Sequence, residues 1–339
     1  PEDDIVRAAR IFGSEKPASI FYAMGITQHT HGHQNVVAIA NLAMLTGNIG
    51  VPGGGVNPLR GQNNVQGACD MGGLPNVYTG YQSVTDEAVR ARMAAYYGVE
   101  QPLSNTGLSL TEMIEAAGNG QVRALYLMGE NPVMSDPDTN HVRECLARAE
   151  FIISQDIFLN ETTEYAHVVL PSAAGMEKLG TYTNTERRVR LVRPALNPPG
   201  QARPDWQIIA DIARRMGAPG WDYASPAEIM DEIAEVTPIY GGVSYDRLEG
   251  NGLQWPCPTR DHPGTPILHT RTFSRGRGAF GPVHYQPSVE MPDDEYPLVL
   301  TTGRVLQHYH TGTMTRRVGG LDFLAPEERV EVHPDDAAE

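Results

Sequence analysis

Between residues 121 and 171 the chain alternates short apolar runs with helical passages, and this constrains the fold more than any other feature. "VRALYLMGENP" reads as a strand that empties into Gly129-Glu130-Asn131-Pro132. "PDTNHVRECLARAE" follows as a helix with its N-cap near Asp138 or Thr139. "FIISQDIF" is then a second buried strand, "ETTEYA" a short helical turn and "HVVLP" a third strand. Alternation at this spacing predicts a parallel α/β sheet. Ligands of such sheets sit beyond the carboxyl ends of the strands. Gly129, Glu130 and Asn131 lie just past the first strand and Asp156 ends the second, where dinucleotide-binding folds place the acidic residue that bonds a ribose or base. A strand-end aspartate also serves as a helix cap or turn former. Three loops converging on one edge favour the nucleotide reading.

A similar passage comes earlier. "ASIFYAMGITQHTHGHQNVVAIANLAMLTGNIG" predicts a buried strand from Ile20 to Met24, a polar loop, and a helix from about Asn35 to Leu45. Val36, Val37, Ile39, Ala40, Ala43 and Met44 give that helix its apolar face, and Gly47 suits its end. The loop carries Gln28, His29, His31 and His33. Histidines at alternating positions are metal-ligand types, but no carboxylate accompanies them, so they read as polar loop residues near a site. The two strand–loop–helix passages suggest a duplicated nucleotide-binding unit.

Between them stands "NPLRGQNNVQGACDMGG", with Arg60 among glutamines, asparagines and spaced glycines. Such residues make an ordinary hydrated loop. They also make an anion pocket, because glycines admit close backbone approach and a guanidinium beside amides offers forked donors. Residue chemistry leaves both readings open.

Downstream, "DWQIIADIARRMG" predicts an amphipathic helix led by Asp205, with Ile208, Ile209, Ile212 and Met216 buried. The Gly- and Pro-rich span from about 240 to 290 reads as irregular, and its Arg271, Arg275 and Arg277 fit a solvated loop or a partner contact. "EYPLVLTTGRVLQHYHTGTMTRR" predicts a further apolar strand followed by Arg304, His308, Tyr309 and His310, a set suited to phosphate and base recognition.

Composition narrows the function classes. A formal charge of -15 argues against a nucleic-acid partner, which demands a basic face. Cys69, Cys145 and Cys257 lie far apart without CxxC spacing, so neither a disulfide framework nor a zinc or iron–sulfur site is predicted from them. No apolar run approaches a membrane span. The chain opens "PEDDIVRAAR" without methionine and reads as a fragment, which leaves targeting unreadable.

Over essentially its whole length the sequence resembles the molybdopterin-dependent oxidoreductases, and within them the formate dehydrogenase large subunit. The resemblance rests on "YAMGITQ", "LTGNIGVPGGGVNPLRGQNNVQGACDMGGLP", "YLMGENP", "SQDIF", "AHVVLPSAAGMEKLGTYTNTERRVR", "RPDWQIIADIARRMG", "QWPCP" and "TTGRVLQHYHTGTMTRR", in family order. It implies two pseudo-symmetric α/β domains with dinucleotide-binding-like parallel sheets, followed by the start of a β-barrel domain that caps the cofactor. The corresponding spans are 1–62, 63–290 and 291–339.

The implied cofactor is a bis-molybdopterin guanine dinucleotide carrying molybdenum or tungsten. Arg60 matches the substrate-orienting arginine, with Gly61 beside it and Gln62 close to the metal centre. Gln28 matches a cofactor contact in the first unit. Gly129, Glu130, Asn131, Asp156 and Asn160 match guanine-nucleotide loops of the second, Asp205 a carboxylate near a guanine, and Arg304, His308 and Tyr309 the loops over pterins and phosphates. The family's cysteine or selenocysteine metal ligand and its [4Fe-4S] cluster belong upstream, so the chain matches the middle of the subunit and is not expected to act alone.

The implied reaction is oxidation of formate to CO2 or its reverse, with electrons leaving through iron–sulfur and flavin subunits toward NAD, without a membrane span and in the cytoplasm. His29, His31 and His33 are proton-shuttle candidates. Rival readings are a reductase of nitrate or of N- or S-oxides, disfavoured by Arg60-Gly61-Gln62, and a molybdenum-free electron-transfer scaffold like the complex I large subunit.

Overall fold

A computed structural model describes residues 1–100 and 102–338 and divides into two compact units. One comprises residues 1–107, 179–195 and 219–298; the other comprises 108–178, 196–218 and 299–339.

The second unit is built on the predicted sheet. Strands Ala124–Met128, Phe151–Asp156 and Val168–Pro171 are parallel and adjacent in that order, with Leu125 opposite Ile152 and Ser154 opposite Val169. The helix Thr139–Arg148 crosses between the first two strands and starts at Asp138, whose carboxylate accepts from the His141 amide at 3.2 Å. Helix Leu110–Gly118 packs with it, burying Ile114, Val142, Leu146 and Ile152 in one apolar core. Full burial of such side chains contributes about 1.5–3 kcal/mol each. The turn Glu161–Tyr165 is a short 3-10 helix capped by Asn160.

The first unit holds smaller sheets. Ser19–Tyr22 pairs in parallel with Gly55–Pro58, and the helix Gly32–Leu45 connects them. Gly55 has φ +110°, a conformation closed to other residues, which lets the glycine-rich run enter the strand. Three antiparallel strands, Gly180–Thr183, Arg188–Val192 and Leu253–Gln254, form a second sheet. Its core gathers Val189, Met230, Tyr240, Val243 and Leu248.

The structure departs from the sequence reading in several places. The first strand is not buried, because Phe21 is 64% exposed, and it stops at Tyr22 before a short helix, Met24–Thr27. The next helix starts at Gly32 rather than Asn35. The helix Asp205–Arg215 starts at Asp205 as expected, but Met216 falls beyond its end and is 81% exposed. No described residue from 291 to 338 is in a strand; Leu298, Val299 and Leu300 are exposed. Apolar, β-prone residues need a neighbouring strand to complete their backbone hydrogen bonds, and none of the described residues pairs with them. No barrel is closed among the described residues.

Candidate functional site

The polar run that opens the question of an anion pocket folds back on itself in the first unit. The strand Gly55–Pro58 delivers Arg60 to the mouth of a short helix, Val65–Asp70. Thr185, on the turn between two antiparallel strands, accepts from the Arg60 amide at 3.1 Å and donates to the Pro58 carbonyl at 2.7 Å. The Arg60 Nε donates to Gln66 Oε1 at 3.1 Å. Gln66 Nε2 in turn donates to Asp70 Oδ1 and to the Tyr81 hydroxyl, both at 2.8 Å.

Asp70 is the fixed point of this network. Its side chain is fully buried, and its hydrogen-bond partners among the described residues are uncharged. Four neutral donors meet it: Gln66 and Tyr81 on Oδ1, Tyr240 and Trp255 on Oδ2, at 2.7 to 2.9 Å. A carboxylate has about four lone-pair sites, so its acceptor capacity is filled. Burial first, and the Asp70 charge second, hold the Tyr81 and Tyr240 hydroxyls protonated well above the usual tyrosine range.

Arg60 and Gln66 line a cleft of about 820 Å³ together with Gly53, Gly54 and Gly55 on one wall and Tyr81, Arg187 and Trp255 on another. Arg187 has φ +65° and lies over the Trp255 ring, 5.4 Å from its centroid. Its guanidinium bonds the carbonyls of Trp255, Thr265 and Pro266. Burial pulls its pKa below the ordinary arginine value, opposed by Glu186 and Asp70. The cleft therefore joins a glycine backbone wall to two cations, a donor set suited to a small anion or a polar ring system.

Gly61 and Gln62 are exposed beside Arg60 and do not line the cleft. Gln28 is likewise exposed, at the end of the helix Met24–Thr27. His29 bonds the Gly25 carbonyl at 2.8 Å, and among the described residues the three loop histidines join no metal-ligating group. Among the described residues the one group of that kind is Glu115, His141 and Cys145 of the second unit, where His141 and Glu115 approach to 2.6 Å.

In the second unit the strand-end residues gather as the sheet rule requires. Gly129, at φ +66°, turns the chain and donates its amide to Gln155. Asn131 is buried and bonds Glu161 at 2.9 Å, Thr313 at 3.2 Å and Thr162 at 2.7 Å. Asp156 accepts from the Ile157 amide and from Asn160 Nδ2 at 2.9 Å. Partial burial nevertheless pushes the Asp156 carboxyl up, and burial with the charges of Asp136 and Asp156 does the same to Glu130.

Asp205 behaves oppositely. Burial opposes its ionisation, but Lys178 and Ser172 hydrogen bonds outweigh it and hold the carboxyl below its usual range. Gln155 adds a third donor at 2.7 Å, so Asp205 is bound into a local network.

His308 bonds Thr315 and the Ala325 carbonyl, and the Tyr309 amide also bonds Thr315, which locks both into the turn that follows. Arg304 is exposed, and its charge lowers the Tyr309 pKa against the larger effect of burial.

Sequence reasoning missed several residues. Arg317 lies over the Phe158 ring at 4.8 Å and bonds the Leu159 carbonyl at 2.5 Å, which puts a cation beside Asp156. Asp136 is buried with Oδ2 unpartnered. Gln66 and Asp70 stood in the quoted run, but their partners at 81, 240 and 255 are too distant in sequence to be seen from it.

Comparison with known proteins adds identity to this geometry. The Molybdopterin oxidoreductase family matches residues 8–215, and the Molydopterin dinucleotide binding domain matches residues 298–339. The F420-dependent formate dehydrogenase subunit alpha of Methanocaldococcus jannaschii is 51% identical over 98% of this chain and 49% of its own length. The F420-dependent formate dehydrogenase 2 subunit alpha of Methanococcus maripaludis is 48% identical over 100% of this chain and 50% of its own. The chain thus spans about half the length of these curated relatives. Among solved structures, acetylene hydratase from Pelobacter acetylenicus superposes with a TM-score of 0.65 at 18% identity, covering 100% of this chain and 50% of that one, a likeness of fold.

Proposed function

This chain belongs to the molybdopterin oxidoreductase family, and from that premise we propose that it is the central stretch of a formate dehydrogenase large subunit, interconverting formate and CO2. The observation that carries the reading is Arg60 at the glycine-walled cleft, with Nε engaged by Gln66. Its Nη fork then matches the two oxygens of a carboxylate as small as formate.

The residues present fit a guanine-nucleotide cofactor. Glu130 and Asp156 are acceptors at the strand ends with raised pKa values, and the unpartnered Asp136 Oδ2 calls for a donor. Gly129, Asn131 and Asn160 shape the same edge, and Arg317 supplies the charge for a phosphate. Asp205, Arg304, His308 and Tyr309 belong to this proposal as a supporting shell, and Gln28, Gly61 and Gln62 as contacts in the first unit. When bound, molybdenum or tungsten supplies two-electron redox chemistry. Arg60 localises the anion and fixes its orientation, which lowers the barrier by positioning and electrostatics.

The three-part division at 62 and 290 stands within the same proposal. The relatives are named as alpha subunits, which supports a multi-subunit assembly. We place iron–sulfur and flavin subunits in it, a [4Fe-4S] cluster in the large subunit itself, and a deazaflavin such as F420 ahead of NAD as acceptor. No described helix is long and apolar enough to cross a membrane, which is compatible with the cytoplasmic location we propose.

The test uses the complete subunit. Arg60→Ala is expected to lower kcat/KM for formate by about 10²- to 10³-fold, the usual scale for losing a charge-stabilising donor, with metal and pterin retained. Arg60→Lys keeps the charge without the fork and should recover part of it. Unchanged turnover in Arg60→Ala would end the proposal.

A further inference from the structure

We infer that Gln66 and Asp70 are positioning residues for Arg60, forming a directional hydrogen-bond relay that holds the guanidinium with its Nη edge free to meet the substrate anion; this rests on the reading of Arg60 given above. The direction follows from chemistry. Asp70 is fully buried and takes donors from four side chains, so it presents acceptors only. Tyr81 spends its proton on Asp70 Oδ1 at 2.9 Å, which leaves its oxygen as an acceptor toward Gln66.

Both of these neighbours therefore demand the amide nitrogen of Gln66. Reversing that amide would set its oxygen against a carboxylate and a phenol oxygen. Gln66 is itself buried, 6% exposed, so water cannot absorb the mismatch. Gln66 Oε1 is thereby fixed toward Arg60 Nε, 3.1 Å away. The Arg60 backbone is pinned separately by Thr185. Two anchors on one arginine, one at the amide and one at Nε, set the plane of the guanidinium before any anion arrives.

The relay is tested in the complete cofactor-loaded subunit by a double-mutant cycle. Gln66→Met preserves volume and removes the acceptor at Arg60. It is expected to raise KM for formate about tenfold, the scale of one hydrogen bond to a charged group, with kcat within about threefold and metal and pterin content unchanged. Asp70→Asn, which disturbs the direction of the Gln66 amide, should shift KM the same way; if that variant does not fold, Gln66→Met decides alone.

Arg60→Lys has no Nε, so adding Gln66→Met to it should cost less than about twofold more. Full additivity of the two substitutions would overturn the relay, because a merely structural role of Gln66 does not depend on Arg60. Wild-type subunit without formate turnover, or Arg60→Lys with wild-type kinetics, would instead overturn the reading of Arg60 on which the relay rests.

Discussion

Two sets of carboxylates in this molecule carry opposite designs. In the first unit Asp70 is fully buried and every acceptor site is filled by a neutral donor of the protein itself. In the second unit Glu130 and Asp156 sit at strand ends and Asp136 at the end of the short helix Pro132–Ser135; burial raises the pKa of all three, and one oxygen of Asp136 has no partner. A filled carboxylate can only hold its neighbours in place. An underfilled one keeps acceptor capacity for a ligand, the role proposed for this edge. Asp205 shows that the second unit can also satisfy a carboxylate completely, with Lys178, Ser172 and Gln155, so the shortfall at Asp136 is local.

The contrast is broken most severely at Asp70. Asp70→Ala strands four buried donors and is expected to destabilise the complete subunit by about 3–5 kcal/mol, the cost of breaking a buried charged network, read by urea unfolding. A loss below about 1 kcal/mol would mean the network carries no structural load.

Asn160→Ala removes a helix cap and the Asp156 partner together, and should cost about 1 kcal/mol while reducing guanine-nucleotide occupancy in the isolated subunit. Unaltered nucleotide content would detach Asn160 from the site.

The smallest effect is at Glu130. Its carboxyl is raised in the fold, so its protonated form favours folding. That contribution is present below the unfolded pKa, near pH 4, and is lost as pH rises through the raised value. Glu130→Gln should therefore stabilise the nucleotide-free subunit at neutral pH by less than about 0.5 kcal/mol after solvent screening, with the gain vanishing toward pH 4. Asp205, with its lowered pKa, has the opposite sign: its contribution is present at neutral pH and lost as pH falls below the ordinary carboxylate range. A gain at Glu130 that grew on acidification would reverse the assignment.

What the sequence made legible follows the same division. The strand-end residues of the second unit were readable because the parallel sheet is encoded locally: apolar runs at 124–128 and 151–156, the cap at Asp138, and the turn at 161–165 all declare themselves within a few residues. Arg60 was visible as a charge among amides. Its supports were not, because Tyr81, Tyr240 and Trp255 approach Asp70 from 11 to 185 residues away along the chain, and no periodicity records such closure. The strand expected over the apolar residues near Leu298 failed for a related reason, since a strand exists only with a partner and β propensity alone cannot supply one.

That this cleft belongs to a molybdopterin formate dehydrogenase is the central proposal. It is tested most directly by metal and pterin analysis of the complete natural subunit in the same sample assayed for formate-dependent dye reduction. The expected result is about one molybdenum or tungsten with two pterin guanine dinucleotides and formate-dependent turnover, as the proposed bis-molybdopterin guanine dinucleotide cofactor implies. Metal and pterin without turnover on formate would contradict the substrate, and the absence of both would contradict the cofactor reading itself.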